Sequence, residues 1–116
     1  MKIKTLQKIC RKYNLKQHVS LNEDYKFYID GFNLYLIEWK NDLFPVYGIL
    51  PDGICVNKES NELDYDGNEC KYSYPYIMTT AKEVEQYIVD TLARLKALTK
   101  EVRMNRIKEL WDNQND

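Results

Sequence analysis

Residues 25–39 read YKFYIDGFNLYLIEW. Two arms rich in aromatic and β-branched side chains flank the pair Asp30-Gly31. Such arms favour extended backbone. Asp-Gly suits the tight turn between them, because glycine takes positive φ without a steric penalty. The stretch therefore predicts a β-hairpin. The same grammar recurs twice downstream. FPVYGIL (44–50) and ICVN (54–57) flank Asp52-Gly53, and ELDY (62–65) and ECKYSY (69–74) flank Asp66-Gly67. Residues 25–77 thus predict an antiparallel meander of five or six strands. NKESNE (57–62) is its loosest connection and reads as a surface loop.

Outside this region the period changes. In IKTLQKICRKY (3–13), Ile3, Leu6, Ile9, Cys10 and Tyr13 recur at three and four, which predicts a helix with one apolar stripe. Asn14 fits the left-handed stop position, with Leu15 folding back toward Cys10. At the other end, Thr80-Ala81-Lys82-Glu83 has the form of a capping box. Val84, Ile88, Leu92, Leu95, Leu98 and Val102 then hold helical spacing, so a second helix is expected over 80–112. Helices at both ends of consecutive hairpins favour an α+β class over an α/β one, with the long C-terminal helix packed on the sheet.

That helix poses a problem of size. At 1.5 Å per residue it would be about 50 Å long, whereas a compact chain of this length is roughly 35 Å across. The apolar phase also slips after Val102, where the next large apolar residues are Met104, Ile107, Leu110 and Trp111. Either the helix breaks near 103–105, or its end leaves the body. An exposed Ile107, Leu110 and Trp111 would suit a homodimer or another partner.

The chain has 116 residues, 44% hydrophobic and 30% charged, with a formal net charge of −1. These values fit one globular domain over 1–116. A chain of this size buries roughly two-thirds of its unfolded surface, enough for a core without disulfides or metals. Near-neutral charge argues for neither nucleic acid nor membrane, and no run approaches the ~18 apolar residues of a membrane span. The three cysteines, Cys10, Cys55 and Cys70, are far apart in sequence and read as reduced thiols of a cytoplasmic protein. Lysine outnumbers arginine 13 to 4, and asparagine and tyrosine each occur ten times. Lysine, asparagine and tyrosine have AT-rich codons, which points to a low-GC bacterium or one of its mobile elements.

Four features bear on function. LDYDGNECKYSYPY (63–76) sets Tyr72, Tyr74 and Tyr76 at alternate positions, on one face of a strand. Asp64, Asp66 and Glu69 precede them. Pro75 confines that strand to an edge. Tyrosines either cover the core or form a rigid contact surface, to which the acidic turn would steer a basic partner. A calcium loop begun at Glu62 fails, because its twelfth position, which must be a bidentate carboxylate, is Ser73. The N-terminal helix carries Lys4, Lys8, Arg11 and Lys12, a set able to track phosphates, though no recognition pattern accompanies it. The single histidine, His18, falls in an expected loop without a nucleophile beside it.

The expected function is that of a non-enzymatic protein-binding module, with neither metal nor cofactor. Size and composition suggest a phage or mobile-element inhibitor of a host or defence protein. The alternative is a nucleic-acid-binding regulator that uses the basic N-terminal helix.

Overall fold

A computed structural model of the chain describes residues 1–29, 35–48, 54–56, 59–60, 63–65 and 76–115, with side chains for all of these except 54–56, 63–65 and 114–115. The first helix, α1, spans Ile3–Lys12, and its apolar stripe buries Leu6 and Cys10 completely. The chain leaves it through Asn14, at φ 59°. The side chain of asparagine tolerates this left-handed conformation, which stops the helix. Leu15, just beyond, joins the same core cluster as Cys10.

The next element is a strand, where the sequence predicted a loop. β1 (Leu15–Val19) pairs antiparallel with β2 (Tyr25–Ile29), and β2 with β3 (Tyr35–Trp39). His18 therefore sits in β1. The turn between β1 and β2 is closed by backbone bonds from the Ser20 N–H to the Asp24 carbonyl and from the Glu23 N–H to the Ser20 carbonyl, with the Ser20 hydroxyl accepting the Asp24 N–H at 3.1 Å. β3 pairs with β4 (Val46–Gly48), and β4 with β7 (Tyr76–Met78), giving a five-stranded antiparallel sheet in the order β1-β2-β3-β4-β7.

Here the meander departs from expectation. β5 (Ile54–Val56) pairs with β6 (Leu63–Tyr65) in a separate two-stranded sheet that lies against the second helix. The strands flanking Asp52-Gly53 do not pair with each other. The connection read as the loosest, 57–62, joins the two strands of the small sheet instead. All three Asp-Gly pairs lie outside the described residues, as does Cys70. Cys55 is placed in β5 by its backbone alone.

The second helix, α2, runs unbroken over Ala81–Asn115. Its start follows the capping logic: the Thr80 hydroxyl accepts the Glu83 N–H at 3.2 Å and donates to the Glu83 carboxylate at 2.9 Å. These bonds, with that from Thr79, hold the Glu83 pKa below its usual value. Val84, Tyr87, Ile88 and Leu95 bury against Phe27, Ile37, Trp39, Val46 and Met78, while Leu6 and Cys10 of α1 enter the same cluster. Both helices therefore cover one face of the sheet. Each large side chain so buried stabilises the fold by roughly 1.5–3 kcal/mol. Two buried polar groups are satisfied across the layers: the Tyr87 hydroxyl donates to the Leu36 carbonyl at 2.9 Å, and the Trp39 indole N–H to the Met1 carbonyl at 2.7 Å.

Burial pushes the Cys10 thiol up to about 12. A protonated, enclosed thiol is a poor nucleophile. Iodoacetamide at about pH 8 is thus expected to leave Cys10 unmodified in the folded protein and to label it after denaturation, as read by peptide mass mapping. Labelling of Cys10 without unfolding would contradict this packing.

Candidate functional site

The size problem is resolved by projection. The molecule extends 60 × 29 × 25 Å, with a radius of gyration of 16.5 Å, against about 13 Å for a compact chain of similar length. Among the described side chains of α2, the last buried one is Val102. Beyond it Met104, Ile107, Leu110 and Trp111 are 58, 60, 63 and 65% exposed.

The apolar phase does more than slip. At about 100° per residue, Val84, Ile88, Thr91, Leu95 and Val102 share one side of α2. Met104, Ile107 and Trp111 fall on the opposite side, with Leu110 at their flank. The buried side is continued by Asn105, Arg106 and Glu109, which are polar and exposed. One helix thus has two apolar faces: the first faces the protein's own sheet, and the second faces away from it. Half-exposed Val89 lies on the outward side, further back. Beside this stretch an open groove of about 890 Å³ runs along α2, walled by Ile29, Leu92 and Leu95 and rimmed by Lys96, Lys100 and Arg103.

Of the tyrosine surface predicted from the sequence, only Tyr76 has a described side chain. It lies in β7, at one edge of the five-stranded sheet, and is 41% exposed. Its ring stands 5.3 Å from that of Tyr87, so it is partly a cover for the core. Tyr72, Tyr74, Asp66 and Glu69 lie outside the described residues. Asp64 is in β6, its side chain outside them too.

The basic face of α1 is smaller than expected. Lys4, Lys8 and Arg11 are exposed along one side of the helix. Lys12, however, pairs with Glu85 of α2, and the Tyr13 hydroxyl donates to the same carboxylate at 2.6 Å. Lys12 holds the Glu85 carboxyl below its ordinary range, and Glu85 in turn raises the Lys12 ammonium and the Tyr13 phenol. Lys12 therefore links α1 to α2 through an exposed ion pair.

The outward face of the large sheet was not among the surfaces expected from the sequence. Register places His18, Lys26, Glu38, Tyr47 and Ile77 in one row across all five strands. Lys16, Tyr28 and Tyr35 form a second row. A bulge between Phe27 and Tyr28 shifts the ladder, so that Tyr28 and Tyr35 meet edge-to-face at 5.7 Å on this side. The His18 ring stands 6.4 Å from Tyr35. The ammonium of Lys26 lies 5.3 Å above the Tyr35 ring, and that of Lys40 5.7 Å above the Tyr47 ring. Alternation within YKFYI hinted at an outward Lys26 and Tyr28. Their neighbours became visible only once β1 was known to be a strand.

Among the described residues, no helix is long and apolar enough to cross a membrane. No family model matches the chain, and neither a curated protein nor a solved structure shows significant similarity to it.

Proposed function

We propose that the chain is a small, non-enzymatic protein-binding module that docks through the projecting end of α2. The observation that carries this reading is the reversal of the helix's apolar face beyond Val102. Leaving four large apolar side chains in water is unfavourable by roughly 25 cal/mol per Å² of apolar surface, and a contiguous exposed patch of this kind marks an interaction site. The end projects from the body, so it can enter a cleft or lie along another helix. Tryptophan is enriched among the anchors that dominate interface energetics, and Trp111 is the natural anchor here. The other members are Ile107 and Leu110, with Met104 added by the fold. An inhibitor of a host or defence protein would use such an end to fill its target's apolar cleft. Size and composition alone favour that particular form.

Self-association is the form to measure first. The native chain is expected to show a mass that rises with concentration over the micromolar range in sedimentation or light scattering. Ile107→Glu with Trp111→Glu should make it monomeric while leaving the melting temperature within a degree or two, because neither side chain belongs to the core. A wild type that stays monomeric, and from whose lysate capture these substitutions remove no protein, would overturn the reading. The nucleic-acid alternative through α1 has less support than the sequence suggested, since Lys12 is engaged by Glu85.

A further inference from the structure

We propose that the outward face of the five-stranded sheet is a platform for single-stranded nucleic acid. The platform is independent of the projecting end of α2, because it uses the opposite side of the sheet from both helices. The wet face of an antiparallel sheet ordinarily carries short polar and charged side chains. This one carries the rings of His18, Tyr28, Tyr35 and Tyr47 among Lys16, Lys26 and Lys40, and Glu38, the single carboxylate of the two rows, is buried beneath its neighbours at 8% exposure. The chain as a whole is slightly acidic, so the excess of cations is local to this face.

Rings interleaved with cations are what single strands require. Unpaired bases stack on aromatic side chains, and ammonium groups follow the phosphates. The contacts within the face show how the exchange would run. Lys26 and Lys40 each rest an ammonium over a tyrosine ring, a cation–π arrangement of modest strength at exposed sites. A base has a π-face to offer the ring, and the phosphate beside it has a charge to offer the lysine. At the Lys26–Tyr35 pair each released partner therefore finds a replacement. Tyr35 is the centre of the set. It touches Tyr28, His18 and Lys26 and is 37% exposed. Five strands about 4.8 Å apart make a face roughly 19 Å wide, a width on which two or three bases stack. Duplex is disfavoured, since its bases are already stacked and a flat sheet does not enter a groove.

The test is fluorescence anisotropy with labelled dodecamers of thymidine and of uridine, against a duplex of equal length, at 50–200 mM salt. Both single strands are expected to bind, the duplex at least tenfold more weakly. The logarithmic salt slope should be near −2, about 0.7 for each of three lysines. Tyr35→Ala should weaken binding about tenfold or more, and Tyr35→Phe, which keeps the ring, should leave it nearly intact. Lys26→Glu with Lys40→Glu should weaken binding and flatten the salt slope. Reversing Lys4, Lys8 and Arg11 on α1 should change affinity by less than about threefold. Absence of saturable binding by the native chain would overturn the proposal. So would Tyr35→Ala binding as the native chain does, or loss of binding on reversal of α1 alone, which would transfer the site to that helix. Failure of this platform would leave the α2 reading untouched, because that is judged by mass and by Ile107 and Trp111.

Discussion

Phe27→Ala is expected to lower the stability of the fold by about 3–5 kcal/mol, the range for emptying a buried phenylalanine site. Phe27 is almost wholly enclosed, and it lies opposite Gln17 of β1 and Ile37 of β3, so both neighbouring strands meet at it. It shares one cluster with Leu6 of α1 and Ile88 of α2. The hole left by alanine would therefore be lined from both layers, and neither layer can collapse into it without moving the other. Domains of this size are stable by only about 5–15 kcal/mol, so the substitution removes a large fraction of the total. Urea unfolding followed by circular dichroism would show the midpoint falling sharply with an unchanged slope. An unaltered midpoint would mean that Phe27 does not hold the layers together. Phe27→Leu, which keeps most of the volume, should cost much less.

The second large effect is expected at Gly48. A Cβ added there would stand 2.8 and 2.9 Å from the Cζ and Cε2 atoms of Tyr87 and 3.0 Å from the Cβ of Tyr76. The ring edge of a free tyrosine could move aside. Tyr87 is restrained because its hydroxyl bonds to the Leu36 carbonyl, and Tyr76 is restrained by its place in the β4–β7 ladder. Gly48→Ala should therefore cost about 1–3 kcal/mol, as overpacking does, and β7 is the strand most disturbed. The cause can be isolated. Tyr87→Leu removes the obstructing ring at its own cost, and adding Gly48→Ala to it should then cost little. Additive losses in the double variant would show that the ring is not what excludes a side chain at residue 48.

Much of the architecture was legible because its determinants are local. The stripe of α1, the left-handed stop at Asn14, the hairpin arms of 25–39 and the hydroxyl–carboxylate exchange at Thr80 and Glu83 each depend on residues a few positions apart. β1 was hidden for a physical reason. In LKQHV only Leu15 is buried, and β1 lies at the edge of the sheet. Without alternating burial, a strand has no apolar period to read. The placement of β7 beside β4, past the β5–β6 pair, is a non-local choice, and adjacency in sequence is merely the commonest outcome. At the candidate site, Met104 to Trp111 announced themselves by breaking phase, whereas only the register brought His18, Lys26 and Tyr47 into one row.

The two-faced helix also separates two kinds of selective pressure. Residues 84–102 answer to the fold, and a change there is felt by the whole core. The side chains of residues 104–111 lie outside that core. A lineage can therefore rewrite the second set without passing through an unfolded ancestor.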